Sequence, residues 1–286
     1  MPAIAALRRQ FPDAHIEILG YPHIAQLASA AGLVNRVQSI DARALAGFFA
    51  RGGQLSSDLA DFFSEFDLVV SYLYDPDGIF RTNVALCTGA QFIQGPHRPD
   101  DSLGIHATAV FLKPLEQLAI FDADVQPRLA FGGTAQNSER IAMHPGSGSE
   151  SKNWPEEKWA ELIQHILRTT KLNILLVGGE ADANRIRRLN TRFSEQPDRV
   201  TVAQNVALPD LGSMLESCRG FVGHDSGISH LAAAVGLPGV VLWGETNQEV
   251  WRPVSGKMLL LRHESGLSGL AVTEVIEAVA GLIEKA

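Results

Sequence analysis

The densest set of polar groups lies between two short apolar runs, in GFVGHDSGISHLAAAVGLPGVVLWGE, residues 220–245. Residues 220–223 read as a buried strand, residues 228–235 as a short alanine-rich helix, and residues 239–243 as a second buried strand. Gly236-Leu237-Pro238 stops the helix. His224-Asp225-Ser226-Gly227 therefore forms a polar loop at a helix start, where Asp225 or Ser226 is expected to cap the first turn. A helix start presents unpaired amides and the positive end of a dipole, which attract anions. Gly227 lets a ligand approach the backbone, and His230 falls one turn later on the loop side. A carboxylate that accepts hydroxyls beside an anion site suits a ligand that is both polyhydroxylated and anionic, such as a sugar nucleotide. The plainer alternative is a strand-to-helix turn with an acidic cap. Its place after a buried parallel strand favours binding, because open α/β sheets bind ligands at the carboxyl ends of their strands.

A second polar loop, HPGSGSESKNWP, spans residues 144–155. Amides around Gly146 and Gly148, with hydroxyls at Ser147, Ser149 and Ser151, could surround a phosphate, and Lys152 adds a positive charge. It is not a Walker A loop: the residue before Lys152 is Ser151 and the residue after it is Asn153. It also lacks the third glycine of a dinucleotide fingerprint. A flexible surface loop is the alternative. In Gly178-Gly179-Glu180, Glu180 could accept hydrogen bonds from a ribose, or could simply be an acid at a helix entry. Ser226 is out of register for a nucleophile elbow, which argues against a hydrolase triad. The histidines show no metal-ligand spacing. Trp154, Trp159, Trp243 and Trp251 read as core or cleft wall.

These loops need strands and helices to hold them, and the chain alternates between the two twice over. The first series runs from an amphipathic helix at residues 1–10, with Pro2 at its first turn, to about residue 118. Its strands are expected at 15–20, 36–40, 67–71 and 91–94. The second series begins with a strand at 140–143 and ends with a helix at 273–285. Between them, QPRLAFGGTAQNS at 126–138 is rich in Pro, Gly and small polar residues and reads as a linker. The expected domains are 1–130 and 138–286, two Rossmann-like α/β domains whose parallel sheets face a central cleft. A doubly wound domain ordinarily opens with a strand, and here a helix comes first.

Composition narrows the functional class. The net charge of −8 speaks against a protein held on nucleic acid by phosphate contacts. Cys87 and Cys218 are too few and too far apart for a disulfide scaffold or a zinc site, which suits a reducing compartment. No apolar run reaches membrane-spanning length and no signal peptide is recognisable. The expectation is a cytoplasmic protein, with contact at a membrane surface left open.

PGSGSESKNWPEEKWAELI (residues 145–163), LLVGGEAD (175–182) and GHDSGISHLAAAVGLPGVVLWGETNQEVWRP (223–253) together resemble glycosyltransferase family 9, the ADP-heptose:lipopolysaccharide heptosyltransferases. The last segment is similar to that family's D-[TS]-G-x-x-H-x-A-A-A element. LRRQFPDAHIEILG (7–20) resembles it more loosely. The resemblance implies a GT-B fold with an N-terminal acceptor-side domain that lacks its first strand. It implies inverting, metal-independent transfer from an ADP-sugar, with ADP-heptose favoured, to a lipopolysaccharide core or other glycan acceptor. No cofactor is implied, and peripheral contact with the inner membrane is.

By the same resemblance, Lys152 is the catalytic group that neutralises the leaving diphosphate. Glu180 contacts the nucleoside, and Asp225, Ser226, Gly227 and His230 surround the phosphates and sugar. Ser147 and Gly148 complete the expected binding set. The family's general base is an aspartate in a loop after its opening strand. This sequence starts in the following helix, so no base is assigned, and neither Asp13 nor Asp75 takes the role. Two other readings stay open: a nucleotide-sugar epimerase of the same fold, and a non-catalytic nucleotide-sugar binder or inactive fragment.

Overall fold

The computed structural model describes residues 1–41, 43–132, 139–148 and 152–285. Ser149, Ser151 and the linker residues 133–138 lie outside the described residues. The chain divides into two compact units, Met1–Val125 and Gln126–Ala286. Among the described residues no helix is long and apolar enough to cross a membrane.

The first unit contains α1 (Pro2–Gln10), β1 (Glu17–Gly20), α2 (Pro22–Ala30) and β2 (Arg36–Ser39). It continues through α3 (Ser57–Ser64), β3 (Leu68–Ser71), α4 (Ile79–Ala85), β4 (Gln91–Gln94) and α5 (Ala107–Leu112). All four expected strands form. They pair as two parallel ladders, β1 with β2 and β3 with β4. Alternate residues of β3 serve two cores, as the strand period of two requires. Val69 packs with Phe48, Phe63 and Phe80, and Val70 with Ala3, Ala6 and Leu115. Leu19 of β1 joins the first of these clusters. Between β2 and α3 the chain forms a 3-10 turn at Arg43–Phe49.

The second unit is a doubly wound domain. Its strands are β5 (Arg140–His144), β6 (Asn173–Gly178), β7 (Val200–Gln204), β8 (Gly220–His224), β9 (Gly239–Leu242) and β10 (Met258–Leu261). Its helices are α6 (Glu156–Thr169), α7 (Ala183–Arg192), α8 (Leu208–Glu216), α9 (Gly227–Ala234), α10 (Gln248–Trp251) and α11 (Val272–Lys285). The sheet order is β10-β9-β8-β5-β6-β7, and every pair is parallel. The order reverses between β5 and β8, so the loops after these two strands open at the topological switch point.

The central strands carry no polar stripe because helices cover both faces. Ile141, Met143, Ile174, Leu176, Val240 and Leu242 share one core with α6 and α11. Trp159, Leu162, Ile163 and Ile166 line the buried face of α6 at helical spacing. Burying each such aliphatic side chain contributes roughly 1.5–3 kcal/mol. Residues just after the unit boundary pack onto this unit. The Leu129 amide donates to the Ala234 carbonyl, and the Phe131 amide donates to Glu216 Oε1 at 2.7 Å.

Candidate functional site

The two polar loops predicted to bind ligand follow the two strands at the switch point, and side chains join them. Lys152 Nζ lies 3.2 Å from Asp225 Oδ2 and 3.1 Å from Thr246 Oγ1, in the loop after β9. Three loops therefore meet at one ammonium group. Lys152 is about half exposed and Asp225 mostly covered. Thr246 is fixed in turn: its carbonyl accepts from Trp243 Nε1 at 2.7 Å.

Beneath this pair lies a buried polar layer. β5 and β8 each end an apolar run in a histidine, His144 and His224, and both side chains are buried. His224 Nε2 accepts from the Trp154 amide at 2.8 Å, and its Nδ1 donates to the Gly146 carbonyl at 3.2 Å. That pairing fixes the tautomer. Burial pushes the His224 pKa from 6.5 down to about 3, so the ring is neutral. His144 has Asp182 Oδ2 at 3.3 Å from Nε2 and Ser226 Oγ at 3.2 Å from Nδ1. The bond from His144 holds the Asp182 carboxyl below its ordinary range. Bonds from the Gly179 and Gly148 amides act in the same direction, and burial opposes them.

Gly146 makes this layer possible. A Cβ on it would lie 1.9 Å from Asp182 Oδ1, so any side chain would expel the carboxylate. The 144–155 loop thus does two jobs. Part of its backbone serves Asp182 and His224, and Ser147 Oγ donates to Asn153 Oδ1 at 2.8 Å. Gly148 is exposed at positive φ.

Asp225 and Ser226 depart from the capping expectation. Ser226 holds the N-cap position of α9 with extended φ and ψ, yet its side chain caps nothing. Asp225 turns to Lys152 instead. Local sequence rules favour a cap, but partners 73 and 82 residues away compete for both side chains and win. Gly227 opens α9 and is exposed, and His230 is half-buried one turn on. Glu180 is exposed in the turn after β6, two residues before Asp182. It shares the carboxyl end of the sheet with the other groups, and no side-chain bond ties it to them. The sequence reading did not single out His144, His224 or Asp182. The available signal was that two separate apolar strands both end in histidine.

A two-unit α/β chain whose second unit is a doubly wound, all-parallel sheet has the fold of the GT-B glycosyltransferases. The structure of Escherichia coli ADP-heptose LPS heptosyltransferase II matches 100% of this chain and 95% of its own, with a TM-score of 0.76 at 18% identity. The E. coli heptosyltransferase WaaC with ADP matches 98% of this chain and 94% of its own, with a TM-score of 0.73 at 18% identity. In sequence, E. coli lipopolysaccharide heptosyltransferase 3 is 23% identical across 99% of this chain and 94% of its own length. The profile of glycosyltransferase family 9 (heptosyltransferase) covers residues 113–269. The chain belongs to that family, and it is a glycosyltransferase.

Proposed function

We propose that the chain transfers a heptose from ADP-heptose to a lipopolysaccharide core acceptor, with inversion and without a metal ion. The observation that carries this is the meeting of Lys152, Asp225 and the start of α9 at the switch point. Glycosyl transfer from a nucleotide sugar needs charge stabilisation on the departing diphosphate. Lys152 supplies the positive charge, the task a divalent cation would otherwise perform, and the α9 amides supply donors. Asp225 shares the ammonium in the free protein and would pass it to the diphosphate while accepting hydroxyls of the sugar. In this reading Gly227 admits the ligand to the backbone, Ser147, Gly148, Ser226 and His230 contact the donor, and Glu180 accepts ribose hydroxyls.

In this reading the Gln126–Ala286 unit holds the donor and the Met1–Val125 unit takes the acceptor. The relatives named above, which include an ADP complex, support the donor assignment. Action on a lipopolysaccharide precursor places the protein in the cytoplasm, with peripheral contact at the inner membrane. The test is calorimetric titration of ADP, UDP and GDP into the chain, with Asp225→Ala and Lys152→Ala beside it. Selective ADP binding, weakened in both variants, is expected. Equal binding of all three nucleotides, or none, would remove the ADP-sugar reading.

A further inference from the structure

Ser226 stands at the start of α9 but its hydroxyl does not bond the first-turn amides. It lies 3.2 Å from His144 Nδ1. His144 is 4% exposed, and its other nitrogen reaches Asp182, itself 8% exposed. Three elements thus contribute to one chain of bonds: the start of α9, the end of β5 and the turn that opens α7. Gly146 gives up a side chain to make room for it.

An N-cap serine ordinarily accepts from the amides of the second or third helical residue. Here the Ser229 amide turns back to the Ser226 carbonyl. A capping hydroxyl would compete with any anion for the Ile228 amide. We propose that His144 and Asp182 are positioning residues for the donor diphosphate: they hold the Ser226 hydroxyl off the helix cap and so keep the first-turn amides of α9 open to the anion. The inference rests on the donor-site reading above. Asp182 acts through His144 by accepting Nε2–H, which leaves Nδ1 directed at Ser226.

Calorimetry with ADP on four full-length proteins tests this: wild type, His144→Phe, Ser226→Ala and the double variant. Phenylalanine keeps the ring and removes both nitrogens. Freed from His144, the hydroxyl drops onto the amides and should weaken ADP binding by about tenfold, the scale of one cap. Adding Ser226→Ala removes the competitor and should rescue binding to the level of Ser226→Ala alone. A merely structural role for His144 gives no such rescue. Thermal melting monitors folding. If His144→Phe does not fold, Asp182→Asn with and without Ser226→Ala makes the same comparison. A double variant that binds ADP about tenfold more weakly than Ser226→Ala alone, or a His144→Phe variant that binds like wild type, overturns the proposal. A wild type that binds no ADP removes the donor reading, and the inference with it.

Discussion

The ammonium of Lys152 lies 3.2 Å from the Asp225 carboxylate, and the two residues stand 73 positions apart in the sequence. The contact joins the loop after β5 to the loop after β8, which are neighbours only because the strand order reverses there.

Lys152→Ala should separate catalysis from stability. The pair is half exposed on the lysine side, and exposed ion pairs contribute at most about 1 kcal/mol. The melting temperature should hardly move. Transfer should fall by about 100-fold or more, as when one donor to a developing anion is removed. Steady-state transfer assays beside melting curves check both. A folded variant with unchanged turnover would remove Lys152 from the chemistry.

Gly146→Ala should act in the opposite sense, on the fold. The new methyl would overlap the Asp182 carboxylate, and overpacking of this kind costs typically about 1–3 kcal/mol. Displacing Asp182 also leaves His144 without its partner. Urea unfolding should show a lower midpoint, and nucleotide binding should weaken with it. A wild-type midpoint would mean that the loop backbone shifts freely.

His224 sets an acid limit on stability. Its folded pKa of about 3 lies below the ordinary 6.5, so between those values the unfolded chain binds the extra proton. Stability must then fall as pH drops below about 6.5, with a slope of at most about 1.4 kcal/mol per pH unit. Asp182 and Glu156, both held below their ordinary range in the folded state, add to the loss once pH falls through the carboxylate range. For Glu156 the leading cause is its bond with Arg188. In His224→Asn the slope between pH 6.5 and 4.5 should flatten. An unchanged slope in urea titrations across that range would show that other groups carry it.

Trp159→Ala should cost about 3–5 kcal/mol. The indole is fully buried on α6, edge-on to Trp154 and to the His224 ring. Its removal opens a cavity under the site, so ADP affinity should fall with stability. A variant that loses stability but binds ADP normally would show that the layer beneath the loops does not shape them.

The second unit was legible because its central strands are buried on both faces, so apolar runs such as NILLVG and GFVGH stood out between helical stretches. Lys152, Asp225 and Gly227 were legible for the same reason: polar residues interrupt those runs at strand ends. The fate of the Asp225 and Ser226 side chains was not. Capping rules weigh only near neighbours, and here the deciding partners, Lys152 and His144, come from the loop after β5 and from the end of that strand. Asp182 was not legible, because its buried partner, an imidazole 38 residues earlier, is invisible in its own segment. The first unit was legible in its four strands but not in how they pair, as two separate two-stranded ladders. Its strands are only partly covered, and short half-buried segments leave weak patterns.

The switch point also bears on how the protein reaches its folded state. His144 meets Asp182 across 38 residues and Ser226 across 82, and closing such long loops is the slow part of forming a parallel sheet. α6 and α7 can gain helix early, but the anion site does not exist until β8 docks beside β5. A refolding chain should therefore recover its helical circular dichroism before it recovers affinity for nucleotide. The donor would then act as a clamp on the final assembled state, and ligand present during refolding would slow unfolding more than it speeds folding.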